Sequence, residues 1–143
     1  MVIDMAFRAP VSLDELNRLS RGTLIDHLGI VFTGAGEDWL QATMPVDERT
    51  RQPYGLLHGG ASVVLAETLG SSAGNLCVDT ASQVCVGLEI NANHLRAVRS
   101  GMVTGTARAL HVGRTTQVWE IRIENEAGKP VCISRLTLAV VPA

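Results

Sequence analysis

At 143 residues the chain is long enough to bury one sizeable core and too short for several domains. Apolar residues make up 46% of it and the mean hydropathy is +0.21, high for a small soluble protein, which points to apolar surface hidden by self-association. A formal net charge of −2 argues against a nucleic-acid or anionic-membrane partner, while 12 Lys and Arg remain for local use on a ligand phosphate.

Residues 1–11 carry no pattern and are expected to be loosely ordered; with acid at Asp4 and no apolar run, they do not read as a secretion signal. Ser12 followed by Glu15 has the spacing of a capping box, and Leu13, Leu16 and Leu19 follow at helical intervals. Thr23 to Leu28 reads as a second short helical turn stopped by Gly29. From Ile30 the pattern becomes extended. Gly34 to Glu37 reads as a turn, and Leu40, Ala42 and Met44 alternate with Trp39, Gln41 and Thr43 until Pro45 and the polar run 47–51 close a hairpin.

The next stretch is the unusual one. Gln52-Pro-Tyr-Gly-Leu-Leu-His58-Gly59-Gly60 is a turn-rich loop, and behind it a run without proline continues to about Val78. Val63, Ala66, Gly70, Ala73 and Gly74 fall at helical spacing, and the run is apolar nearly all round, so a buried helix is expected. Its one ionisable side chain is Glu67. A carboxylate in such a place costs free energy unless paired, and a desolvated carboxylate in a cleft is a candidate base or nucleophile. His58 and Gly59 open the same helix, where free N–H groups and the positive dipole end suit a developing oxyanion. Glu67 stands nine residues beyond His58, about 13 Å along the axis at ~1.5 Å per residue. One helix therefore cannot bring both groups to one atom; two copies lying antiparallel can.

Beyond 79–82 the chain is extended again. Val84, Val86, Leu88 and Ile90 alternate with Gly87, Glu89, Asn91 and Asn93, which predicts a long strand with one apolar face. Residues 97–101 turn, Met102 to His111 forms the next strand, and Gly113 marks another turn. Gln117, Trp119, Ile121 and Ile123 alternate along a third strand; 126–129 is a hairpin turn, and Val131 to Val141 returns as the last. Two short strands, one long helix and four long strands make an α+β arrangement, an antiparallel sheet with a helix laid across it.

The segment from Gln52 to Gly74, with Met44-Pro-Val before it and Val86-Gly-Leu-Glu-Ile-Asn-Ala-Asn-His94 after it, resembles the hotdog-fold acyl-CoA thioesterases. It is most similar to the 4-hydroxybenzoyl-CoA type and, within it, to the 1,4-dihydroxy-2-naphthoyl-CoA and aryl-carrier-protein thioesterases. The resemblance covers about residues 12–141. It implies a hotdog fold, an antiparallel β-sheet wrapped around one long central helix, which the small residues Gly60, Ala61, Ala66, Gly70, Ala73 and Gly74 would keep thin. It implies a homodimer assembling to a homotetramer, with each site shared between two chains. It further implies that the Gly59 N–H polarises the thioester carbonyl and that Glu67 attacks it or activates a water. Gln52 would orient the carboxylate or the water, His58 would contact the thioester, and Ser71 would touch the acyl group or the carboxylate. Gly87 would lie where backbone nears the substrate. The coenzyme A arm would run along His94, Leu95, Arg96 and Ala97 and along His111, Val112, Gly113, Arg114, Thr115 and Thr116, and Val63, Leu57 and Met44 would line the acyl pocket. No cofactor is implied, since the coenzyme A moiety is part of the substrate.

Histidines 27, 58, 94 and 111 have no histidine or cysteine at i+2 or i+4, so no metal is expected. Ser62, Ser71 and Ser72 lack a GxSxG elbow, which argues against a serine hydrolase. Cys77, Cys85 and Cys132, without a CxxC pair, read as small core residues of a cytoplasmic protein. A chain of this kind is expected to hydrolyse an aromatic or medium-chain acyl-CoA or acyl-carrier-protein thioester, alone as one domain over 1–143. A hotdog dehydratase would instead yield an unsaturated product, and a non-catalytic acyl-CoA-binding protein would release no thiol.

Overall fold

The structure, a computed structural model, describes residues 7–143, so the expectation of a loose N-terminus falls outside the described residues for 1–6. For Phe7 it is wrong. Its ring stacks on Trp119 with centroids 6.1 Å apart and planes 11° apart, and its N–H donates to the Glu37 carbonyl at 3.2 Å. A single aromatic ring in the core, worth about 1.5–3 kcal/mol on burial, anchors a segment whose local pattern is silent.

Helix α1 spans Leu13–Leu19, with the Ser12 hydroxyl accepting from the Glu15 N–H at 3.2 Å. The reciprocal half of the capping box is not made, because the Glu15 carboxylate turns to the Arg18 guanidinium instead. Thr23 caps α2, Leu24–His27, and Gly29 ends it with a φ of +74°. Strands β1, Val31–Ala35, and β2, Trp39–Pro45, pair antiparallel, and Leu40, Ala42 and Met44 point into the core. The turn between them lies at 36–38 rather than at 34–37, because a register shift between Phe32 and Gly34 lets β1 run on to Ala35.

Helix α3 spans Gly59–Leu76, ending two residues short of the expected Val78. It packs against β2 of the hairpin and the four long strands that follow it: β3 Gln83–His94, β4 Met102–Val112, β5 Thr116–Glu124 and β6 Pro130–Pro142. All neighbours are antiparallel, in the order β1-β2-β4-β5-β6-β3, so β1 and β3 are the edges. Six strands curled round one long helix are the hotdog fold.

Two glycines of the helix, and Gly105 of β4 opposite Leu65 and Leu69, set how closely helix and sheet meet. A Cβ on Gly70 would stand 2.5 Å from Leu136 Cδ2, and one on Gly74 would run into Leu138 and stand 2.8 Å from Gln117 Oε1. Gly60, in contrast, is exposed and faces no strand; only the His58 ring lies beside it. On β5, Gln117, Trp119, Ile121 and Ile123 are all buried as their alternation predicts. Gln117 is satisfied there: its Nε2 donates to the Gly74 carbonyl at 3.3 Å and its Oε1 accepts from Trp119 Nε1 at 2.9 Å.

Two expectations need correction. The helix is not buried all round: Leu65, Ala66, Leu69, Gly70, Ala73 and Gly74 face the sheet, while Val63, Glu67, Thr68 and Ser71 are only half-buried. Nor does β3 present Val84, Val86, Leu88 and Ile90 on one face. A bulge at Leu88, between Gly87 and Glu89, shifts the register, so Cys85 and Gly87 turn inward before it and Ile90 and Ala92 pack inward after it. Val86 and Leu88 are left outside, 42% and 61% exposed.

Candidate active site

The loop before α3 fixes two groups at once. Gln52-Pro53-Tyr54-Gly55 is a turn closed by the Gly55 N–H donating to the Gln52 carbonyl at 2.9 Å; Gly55 has a φ of +83°, which favours glycine. Within that turn the Tyr54 N–H donates to Gln52 Oε1 at 2.5 Å. The side-chain carbonyl is thereby occupied, and the NH2 group is the end of Gln52 that remains to serve as a donor.

At the helix start, His58 is the N-cap residue. Its Nδ1 accepts from the Gly60 N–H at 2.8 Å, and its carbonyl accepts from the Ala61 and Ser62 N–H groups. The His58 ring thus caps the helix in this chain, and no more than that is seen of the thioester contact expected of it. Of the first four N–H groups of α3, that of Gly59 alone has no acceptor among the described residues. A helix N-terminus with one free donor is suited to hold a negative oxygen. The ring of His94, at the end of β3, lies against Gly59, where a Cβ would stand 2.9 Å from His94 Nε2. Glycine is what permits that approach.

Around this point the fold opens a cleft of about 400 Å³ whose lining includes Gln52, Leu57, Gly59, Ser62, the segment from His94 to Ala97 and the buried Val131. A second cleft of about 450 Å³ lies further along the same helix, lined by Val63, Glu67, Thr68, Ser71 and Ile90, with α2 beside it. Gly87 is set under Glu67, a Cβ there falling 3.3 Å from Glu67 Oε1. The predicted site residues are therefore divided. Gln52, Gly59 and His94 to Ala97 meet in one cleft, while Glu67 and Ser71 meet in another, with Gly87 against the Glu67 carboxylate. Glu67 is half-buried rather than buried in the single chain.

His111 and Val112 end β4, Gly113, Arg114 and Thr115 connect it to Thr116 at the start of β5, and the turn is closed by the Gly113 N–H donating to the Thr116 carbonyl at 2.8 Å. Val112 pairs with Gln117, whose side chain reaches Gly74 near the C-terminal end of α3. This segment and the His94 to Ala97 segment lie at opposite ends of the helix and do not form one surface within a chain. Met44 is fully buried in the core and lines neither cleft, because its strand turns it under the helix; Leu57 and Val63 line one cleft each. Ser62, Leu56, Val131 and Ile90 line the clefts without having been singled out for them. Ser62 is the one of these that left a trace, as a hydroxyl one turn beyond Gly59 in an apolar run.

All three cysteines are free, and burial pushes the Cys77 thiol up to about 12, with Cys85 adding to the shift. Among the described residues no cluster of three His, Cys, Asp or Glu could hold a metal ion, and no helix is long and apolar enough to cross a membrane.

Residues 54–132, more than half of the chain and including the whole of α3, match the family profile of the thioesterase superfamily. The chain belongs to that superfamily. This thioesterase is 52% identical over 137 residues to the 1,4-dihydroxy-2-naphthoyl-CoA hydrolase of Escherichia coli, covering 96% of this chain and 100% of that one. It is 53% identical over 137 residues to the proofreading thioesterase EntH of Cronobacter sakazakii, covering 96% and 99%. Among solved structures, a mutant thioesterase of Pseudomonas aeruginosa superposes with a TM-score of 0.95 at 58% identity, covering 96% of this chain and 99% of that one. The protein is thus a thioester hydrolase.

Proposed function

We propose that this thioesterase hydrolyses acyl-CoA, or the equivalent acyl-carrier-protein thioester, carrying an aromatic or medium-chain acyl group, at a site assembled from two chains. The observation that carries this reading is the division of the site along α3. Gly59 with its free N–H and Gln52 with its free NH2 occupy one cleft, and Glu67 occupies another, eight residues or about 12 Å away at ~1.5 Å per residue. A second helix lying antiparallel sets the Glu67 of one chain opposite the Gly59 of the other. The same pairing brings the His94 to Ala97 segment of one chain towards the His111 to Thr116 segment of its partner. Arg96 and Arg114 then serve the phosphates of the coenzyme A arm.

In this site the carbonyl oxygen of the thioester accepts from the Gly59 N–H, and Gln52 supplies a second donor near the reacting carbon. Glu67 either attacks the acyl carbon itself or takes a proton from the water that does. If Glu67 attacks, the C–S bond breaks as an acyl–Glu67 anhydride forms, and water then hydrolyses that anhydride. If water attacks, the C–S bond breaks directly. In both routes the proton lost by water reaches the thiolate as the free acid and coenzyme A leave. No cofactor is needed. The E. coli relative is named for an aryl-CoA substrate, which favours the aromatic class here. Exposed Val86 and Leu88 on the edge strand β3 support a homodimer built along that edge, assembling further to a homotetramer. Three free cysteines fit a single-domain cytoplasmic protein.

The test is complementation. Glu67→Ala and Gln52→Ala chains, each inactive alone, are co-expressed, and thiol release from benzoyl-CoA is followed. A shared site regains about half of the wild-type turnover per hybrid dimer, because one of its two sites then has both groups. A hybrid as inactive as its parents would show that each site is built within one chain.

A further inference from the structure

Gln52 and Gly59, the two donors assigned to the thioester, hang from one tight hairpin. The Gln52 N–H donates to the Leu56 carbonyl at 2.8 Å, the His58 N–H donates to the Thr50 carbonyl at 2.8 Å, and Arg51 bridges Leu57 between them. One arm carries Gln52, and the other runs through His58 into Gly59 and α3. An isolated hairpin with arms this short does not keep its shape in water, so its geometry comes from what it is tied to.

Each arm has a tie. On the helix side the Leu57 N–H donates to the carbonyl of the buried Val98 at 2.8 Å. On the other side the tie is Thr50, which is polar yet only 1% exposed. Its hydroxyl donates to the carbonyl of Pro45, the last residue of β2, at 2.8 Å and accepts from the Asp47 N–H at 3.1 Å. Its own N–H donates to the Asp47 carbonyl at 3.0 Å. Every polar atom of Thr50 is thus in use, and the residue lines neither cleft. It links the core strand β2 to the helix start through its hydroxyl on one side and its carbonyl on the other. The Gly59 N–H shares a rigid peptide plane with the His58 carbonyl. That carbonyl is held by the Ala61 and Ser62 N–H groups, and the His58 N–H is held by Thr50. The aim of the free donor is therefore set from both sides of His58.

We infer that Thr50 is a positioning residue for the hydrolysis, its buried hydroxyl fixing the direction in which the Gly59 N–H meets the thioester carbonyl oxygen. The inference rests on the acyl-CoA reading above and deepens it. A donor of this kind acts most strongly where negative charge develops, so loss of its aim lowers turnover rather than ground-state binding.

The experiment follows thiol release from benzoyl-CoA by the wild-type protein, Thr50→Val and Thr50→Ser, with hydrogen–deuterium exchange over residues 50–60 read by mass spectrometry. Valine keeps the shape of threonine and removes both hydroxyl bonds, whereas serine keeps them. Thr50→Val is expected to lower kcat about tenfold with KM within about twofold of wild type, and to speed exchange in this segment. Thr50→Ser is expected to stay within about twofold of wild type in both constants. If Thr50→Val does not fold, Thr50→Ala, which removes the same bonds and needs less space, takes its place. Unaltered exchange, or a serine variant as slow as the valine one, overturns the assignment of Thr50 and leaves the thioesterase reading standing. Faster exchange with kcat unchanged overturns the role of the Gly59 N–H, and this inference with it. A wild-type protein that releases no thiol overturns the aryl-CoA reading itself.

Discussion

Glu67 is half-buried on the open face of α3, with Gly87 beneath it and no ion-pair partner among the described residues. In the proposed site this carboxylate serves as the base or nucleophile. Glu67→Gln keeps the shape and removes the base, so thiol release is expected to fall by at least 10²-fold with the melting temperature unchanged. Retention of near-wild-type turnover by the purified variant would remove Glu67 from the mechanism. Ser134 is a different kind of polar residue: 2% exposed, with an Oγ that has no partner, and in neither cleft. Ser134→Ala should therefore raise stability by about 1 kcal/mol, measured by urea denaturation, since an unpaired buried hydroxyl costs ~1–3 kcal/mol. The cysteines titrate above the working range. With the Cys77 thiol held near 12 by desolvation, its thiolate is scarce at pH 8 and grows only as the pH rises towards that value, and Cys85 and Cys132 shift in the same direction. A thiol-reactive dye should leave the native protein unlabelled at pH 8 and count three thiols once it is unfolded.

At the scale of elements, legibility followed the number of constraints each residue carries. The alternation of Gln117, Trp119, Ile121 and Ile123 gave β5 its correct inward face, because an unbulged strand has a strict period of two. On β3 the same rule misled, since the single extra residue at Leu88 reverses every side chain after it, and nothing in a local pattern marks the bulge. The small residues of α3 pointed to a thin helix, and two of them carry that role. Gly70→Val would drive a branched side chain into Leu136 and Ile121, both fully buried, and is expected to destabilise the fold by about 1–3 kcal/mol in urea titrations. The same substitution at Gly60, which faces no strand, should cost much less.

For the whole molecule, the open features lie together. Glu67, Val63 and Ser71 look outward from α3, and the neighbouring edge strand leaves Leu88 61% exposed with its hydrogen-bonding edge unpaired. Leu88→Arg places a charge on that edge. It is expected to give a folded monomer by analytical ultracentrifugation and, if the site is shared between chains, to abolish thiol release although every catalytic side chain is intact. A monomer with full activity would contradict a shared site.

The turn residues around Gln52, the helix start at His58 and Gly59 and the lone carboxylate at Glu67 were all readable from the sequence, because turns and helical spacing depend on neighbours only a few residues away. That spacing alone also shows that Glu67 and Gly59 cannot meet within one helix. Only the tertiary structure decided which face of α3 the sheet covers, that His94 lies against Gly59, that Met44 belongs to the core, and that Ser62 lines a cleft. Those are relations between residues distant in the chain, set by the register of β3 on β6 and by how closely Gly70 and Gly74 let the sheet approach, and no local pattern encodes them.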